Sequence, residues 1–151
     1  MPEKATIERA RRDKRQGKSP STQAGEFVRE EMDHIREGKH GARSTKQAIA
    51  IGLSKARRAG VKLPAPKKGT TSAKTRKSAQ RASAAGRAAT KKRPSAKRSR
   101  ATTKALRREG HSAASKSALS KHARTAAKKR SASSRSASAR KAALTRARKR
   151  R

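Results

Sequence analysis

The sequence contains no cysteine, no tryptophan, no tyrosine and a single phenylalanine, Phe27. Without cysteine there is no disulfide framework, no thiolate metal site and no cysteine nucleophile. Proteins that grip single strands stack bases on aromatic side chains, so that mode is nearly closed to this chain. Asparagine, which with glutamine most often reads adenine in the major groove, is absent as well. Large apolar residues are scarce: Leu, Ile, Val, Met and Phe together number 14 of 151. The longest strongly apolar run, Ala48 to Leu53, is far short of the ~20 residues that span a membrane. No hydrophobic stretch near the start resembles a secretion signal. A membrane partner is therefore not expected, and a soluble, cytoplasmic protein is.

Acidic residues are few and unevenly placed. The chain carries 46 Lys plus Arg against 9 Asp plus Glu, a net charge of +37. Eight of the nine acidic residues fall within residues 1–37, and only Glu109 follows them. A near-neutral head is thus joined to a polycation, with a stiff spacer at Leu63-Pro64-Ala65-Pro66. Few large apolar residues with high net charge mark a chain that cannot bury enough surface to offset its conformational entropy. The expected fold class is mainly α: a small N-terminal helical hairpin in a head of residues 1–63, then a largely disordered polycationic Lys/Arg/Ala/Ser tail of residues 64–151 with transient helices.

Within the head, residues 3–16 show helical charge spacing (Glu8 with Arg11 and Arg12) but little apolar face beyond Ile7 and Ala10, and predict a solvated, frayed helix closed by Gly17. A helix over 20–37 is predicted more strongly. Ser19-Pro20 fits an N-cap followed by proline in the first turn. Ala24, Phe27, Val28, Met32 and Ile35 then recur at helical steps, and Gly38 follows as a stop. Ser44 with Gln47 reads as a capping box opening a helix over 45–59. That helix places Ile49, Leu53 and Ala56 on one face, with Ala48, Gly52 and Ala56 as a row of small residues beside it, and Gly60 ends it. A hairpin this small is marginal alone, so its stripe is expected to be completed by self-association into a homo-oligomer.

In the tail, 75 of 88 residues are Lys, Arg, Ala, Ser or Thr. Around residues 106–119 it also carries a faint second copy of the head's helix-stop-helix element. Leu106-Arg107-Arg108-Glu109-Gly110-His111 and Ser115 echo Ile35-Arg36-Glu37-Gly38-Lys39-His40 and Ser44.

The tail's charge points to a polyanion. Each phosphate contacted by Lys or Arg releases condensed counterion, giving strong, sequence-blind and salt-sensitive binding. About ten such contacts on duplex DNA would make log K fall with log salt at a slope near about −9. The candidate nucleic-acid-binding residues are Lys67, Lys68, Lys91, Lys92, Arg93, Lys97, Arg98, Arg100, Arg107, Arg108, Lys128, Lys129, Arg130, Arg140, Lys141, Arg146, Arg148, Lys149, Arg150 and Arg151. No element for base readout stands out, although Lys46 or Gln47 could reach base edges if their helix entered a groove. Glu31 and His34, with Asp33, Glu37 and His40 nearby, read as an ordinary exposed helix face, and no metal or other cofactor is expected. No nucleophile, base and orienting acid can be assembled, so the chain does not read as an enzyme.

Runs such as KKRPSAKRSR (Lys91 to Arg100) and RTAAKKRSA (Arg124 to Ala132) resemble linker-histone tails and the bacterial histone-like proteins of that composition. The resemblance implies chromosome binding and compaction. The tail departs from that pattern by using Arg slightly more than Lys and by lacking regular Lys-Pro-Ala-Ala repeats. The segment GKSPSTQAGEFVREEMDHIREGKHGARSTKQAIAIGLSKARRAGV (Gly17 to Val61) resembles a small bacterial domain family of unknown function. Together these readings predict a non-sequence-specific, histone-like DNA-binding protein of the nucleoid. An RNA- or ribosome-associated protein is the first alternative. A protein-interaction module with a nucleic-acid-localising tail is the second.

Overall fold

Serine caps open the second to fifth helices of this chain, and glycine closes the first three. The structure is a computed structural model that describes residues 2–88 and 95–149. Among these residues the helices are α1 (Lys4–Arg15), α2 (Pro20–Arg36), α3 (Thr45–Arg58), α4 (Ala73–Arg87), α5 (Ala96–Arg107), α6 (Lys116–Lys128) and α7 (Ala132–Lys149), with a 3-10 turn at Ser112–Ala114. The first three agree to within one residue at each end with the helices expected over 3–16, 20–37 and 45–59. Ser19 and Ser44 cap α2 and α3, each accepting a 3.3 Å bond from the backbone N–H three residues on, Thr22 and Gln47. The capping box at Ser44 is altered: Gln47 Oε1 accepts from Arg43 N at 2.9 Å. Gly17, Gly38 and Gly60 end α1, α2 and α3 with positive φ (69°, 74° and 95°). The next N–H then reaches back five residues, Lys18 to Asp13, Lys39 to His34 and Val61 to Ala56. This is the Schellman closure, and it favours glycine because a Cβ strains that φ.

The chain divides into two compact units, residues 1–115 and 116–151. In the first, α1 and α3 pack on α2, and α4 packs on α3. Ala10, Ala24, Phe27 and Ala56 form a buried cluster, with Ile7, Leu53, Val61 and Leu63 against it. Helix α1 is also tied down by polar contacts. Arg9 Nε meets Glu26 Oε2 at 2.7 Å, and the backbone N–H of Glu3 donates to Glu30 Oε2 at 3.1 Å. A close approach lets α3 reach α2: a Cβ on Gly52 would lie 2.7 Å from Val28 Cα. Within the small-residue row, Gly52 makes a backbone contact while Ala48 and Ala56 are buried apolar side chains.

Two expectations about the fold are overturned. The head is not a two-helix hairpin with a frayed leader, because α1 packs on α2 and brings Ile7 and Ala10 to the cluster around Phe27, which is 1% exposed. Nor is the chain beyond residue 63 a disordered tail. It forms α4 to α7 and the 3-10 turn, so intrinsic disorder is the wrong description of the described part of residues 64–151.

The physical reason is that scarcity of large apolar side chains does not prevent packing when small ones take their place. Among the described residues, nine of the twelve buried hydrophobic ones are alanines. Helix α4 docks through Ala79, Ala82 and Gly86, where a Cβ would collide with the Arg57 carbonyl. The segment after α5 docks through its backbone on the loop between α2 and α3. Gly41 N donates to Leu106 O at 2.9 Å and Ala42 N to Gly110 O at 3.1 Å. Thr45 Oγ1 donates to Ala113 O at 2.7 Å, and Arg36 Nε to Ala114 O at 3.0 Å. Gly41 has no room for a Cβ against the Glu109 carbonyl. The two stop segments of the faint repeat therefore pack on each other.

Helices α5 and α6 have no buried residue, and Leu144 of α7 is 64% exposed. They rest on local terms. Alanine, Lys and Arg have high helix propensity. Ser95 and Ser131 accept from the N–H groups of Arg98 and Ser134. Thr102, Thr103, Thr125 and Thr145 turn their hydroxyls onto the carbonyl four residues back, which satisfies those hydroxyls within the helix at a slight cost to its stability.

Candidate nucleic-acid interface

The acidic side chains of the chain are largely used up by the first sixty residues. Asp13 pairs with Lys18 at 2.7 Å, Glu26 with Arg9, Asp33 with Arg29 and Arg36, Glu37 with Lys39, and Glu30 and Glu31 with Lys55. Glu109, the one carboxylate beyond residue 37, lies 3.6 Å from Arg43. Among the described residues, no Lys or Arg beyond Lys55 has a carboxylate within ion-pair distance. The cations of α4 to α7 are therefore balanced by nothing on the protein that the structure describes.

Lys67 and Lys68 sit exposed in the connection between α3 and α4. Lys97, Arg98, Arg100 and Arg107 are exposed on α5, and Arg108 is its C-cap. Lys128 ends α6, Lys129 and Arg130 lie in the turn to α7, and Arg140, Lys141, Arg146 and Arg148 are exposed on α7. Lys149 is the last residue of α7. Lys91, Lys92, Arg93, Arg150 and Arg151 lie outside the described residues. Arg130 is engaged at the α6–α7 corner, where its guanidinium donates to Ser134 O at 3.0 Å and to the Ser138 hydroxyl.

Grooves lined by cations occur at two places among the described residues. One, of about 580 Å³, runs along α5 and is lined by Ser99, Arg100, Thr103, Lys104, Arg107 and Arg108. Steps of four and three place Arg100, Lys104 and Arg107 on one helix face, so this row was legible in the sequence, although Lys104 was not singled out. The other, of about 500 Å³, lies between α4 and the chain leaving α3, and includes Arg57, Lys62, Gln80, Ser83 and Arg87 among its lining residues. None of its three cations was a candidate, because residues 57 and 87 meet only when Gly86 lets α4 approach α3. Arg57 is 6% exposed, and its guanidinium donates to Pro64 O at 3.0 Å while Nε has no partner. Burial lowers its pKa from the ordinary arginine value. Neither groove has an acidic residue in its lining.

Exposed cations on helices can meet a phosphate backbone by geometry alone. Helix α5 has 12 residues and so is about 18 Å long, while duplex DNA carries one charge per ~1.7 Å of axis. Each helix face thus confronts more phosphates than it has cations, and no carboxylate interrupts the match.

Residues 4–68 match the model of a family of unknown function, DUF6496. The matched stretch takes in α1, α2 and α3 and ends at Lys68, and the family's description carries no activity. No curated protein and no solved structure matches the chain. The likeness of the tail to linker-histone tails thus has no support from these comparisons. Among the described residues no helix is long and apolar enough to cross a membrane.

Proposed function

We propose that the protein binds duplex DNA without sequence preference, as a chromosome-associated protein of the cytoplasm, using helices α4 to α7 as cationic rods. The observation that carries this reading is the carboxylate-free charge of those helices: every described candidate cation whose side chain is placed is exposed, and none has an acidic partner. Helix geometry favours DNA over RNA as the duplex. An α-helix of ~10–12 Å diameter fits the ~12 Å major groove of B-form DNA. The deep, narrow major groove of A-form RNA does not admit it. The absence of aromatic platforms argues in the same direction against single strands.

The test is equilibrium binding of the full-length protein to random-sequence duplex DNA and to structured RNA over a salt series. Truncation at residue 63 is unsuitable, because it would strip α4 from α3 and the 106–114 segment from the Gly41 loop. The reading expects tighter binding to duplex DNA, indifference to sequence, and a slope of log K on log salt near about −9 for about ten phosphate contacts. Equal or tighter binding to RNA would reassign the protein to RNA or the ribosome. A slope near zero would remove the polyanion reading altogether.

A further inference from the structure

The charge pattern that strips acidic residues from α4 to α7 concentrates them near one spot in the first unit. Glu3, Glu30, Glu31 and Glu37 surround His34 and His40, with Lys39 and Lys55 as the neighbouring ammonium groups. Glu31 is not on the exposed helix face that its sequence context suggested. It is 0% exposed. Its Oε2 lies at ion-pair distance from Lys55 Nζ, 2.7 Å, and its Oε1 lies 3.4 Å from His40 Nε2, yet neither oxygen receives a well-formed hydrogen bond. A buried carboxylate left in that state is costly unless a further cation meets it.

The two histidines are oriented as metal ligands usually are. A metal-bound imidazole typically donates its other ring N–H to a carbonyl or carboxylate, which fixes both tautomer and ring angle. His40 Nδ1 lies 3.1 Å from the Gly41 carbonyl, an acceptor only, so Nδ1 carries the proton and the lone pair of the neutral ring is on Nε2, facing Glu31. His34 Nε2 lies 2.9 Å from Glu3 Oε1, which holds that ring in the same manner. The rings stand edge to face, with centroids 6.1 Å apart. One ligand atom from each of Glu31, His34 and His40 lies within 4.8 Å of the other two. In a tetrahedral site with metal bonds of ~2.1 Å, ligand atoms stand about 3.4 Å apart. The Glu31–His40 edge already has that length, 3.4 Å.

We propose that Glu31, His34 and His40 bind one divalent transition-metal ion of the zinc class. Two imidazoles and one carboxylate are a donor set for zinc rather than for magnesium or calcium, which prefer all-oxygen shells. The ion would join α2 to the loop that leads into α3, with Glu3 bringing the start of α1 to the same point. Local negative charge explains how a dication can settle on a chain of net charge +37. The proposal stands apart from DNA binding, since none of these residues is on α4 to α7.

The test uses full-length protein freed of metal with a chelator and then titrated with Co²⁺, followed by competition with Zn²⁺, without nucleic acid. The expected result is saturation at one equivalent, with the visible absorption of a four-coordinate cobalt site that Zn²⁺ abolishes. His34→Gln and His40→Gln should each weaken binding more than tenfold. Glu3→Ala, which removes the acceptor that orients His34, should weaken it by about 10- to 100-fold. His111→Gln and His122→Gln should leave it unchanged. Glu31→Gln alters a buried group and can fail to fold, so the histidine variants, checked for helicity by circular dichroism, decide the question. No saturable binding of either ion, or binding that survives His34→Gln and His40→Gln together, would overturn the proposal. In that case Glu31 is balanced by Lys55.

Discussion

Helices α2 and α7 are almost equal in length, 17 and 18 residues, and share little else. Helix α2 buries Gln23, Ala24, Phe27, Glu30, Glu31, Met32 and Ile35 and carries carboxylates that pair with α1, α3 and the loop after it. Helix α7 has no acidic residue, and its single large apolar side chain, Leu144, faces solvent. One is stabilised by its neighbours, the other by its own residues. Isolated helices of this length are marginal in water, so the local terms in α7 carry a larger share of its stability. The same contrast divides labour. Paired charge builds the first three helices, and unpaired charge on the later ones is left for a polyanion.

The contrast should appear first in the cores of the two regions. Phe27→Ala is expected to destabilise the first unit by about 3–5 kcal/mol in urea unfolding, whereas Leu144→Ala should fall within about 0.5 kcal/mol of wild type. Equal effects would erase the distinction between packed and locally held helices. Lys55→Ala should also cost about 3–5 kcal/mol, because it leaves Glu30 and Glu31 buried without their ammonium partner. A mild effect measured the same way would mean that His40 or a bound ion already balances Glu31. Gly52→Ala comes next, at about 1–3 kcal/mol from overpacking against Val28, and Gly25→Ala, where nothing lies within 4 Å, is the control expected to be neutral or stabilising.

The smallest effects concern DNA. Replacing Arg100, Lys104 and Arg107 with Gln should leave unfolding unchanged and reduce the salt slope of binding by about 3, near 1 for each phosphate that is no longer neutralised. Replacing Arg9, Arg29 and Arg36, which face carboxylates, should change that slope by less than about 1. If both sets act alike, net charge alone governs binding and helix position is irrelevant.

Helix α2 was legible because its signals agree: Ser19-Pro20 at the start, apolar residues at steps of three and four, and Gly38 at the stop. Helix α3 was legible for the same reason. The packing of α1 was not, since it rests on Ile7, Ala10 and polar contacts to Glu26 and Glu30 that have no periodic signature. The order in residues 64–151 was missed for a related reason. Ala79, Ala82, Gly86, Ala113 and Ala114 look like low-complexity filler, yet the four alanines are buried and Gly86 has no room for a Cβ. Of the candidate interface, the α5 row could be read from spacing, while the groove at Arg57 and Arg87 could not.

By itself, then, the sequence determined where the first three helices start and stop, because caps and glycine closures are local hydrogen-bonding events within a few residues. It also determined that positive charge accumulates after residue 37, where Glu109 is the single acidic residue, because charge is additive along a chain. Only the tertiary structure decided which small residues become contacts, because alanine and glycine carry no directional signal until two backbones meet. It likewise decided that Glu31, His34 and His40 converge. His34 sits one helical turn from Glu31, but His40 joins them only after the Gly38 stop turns the chain back and Glu31 is sealed beneath α3.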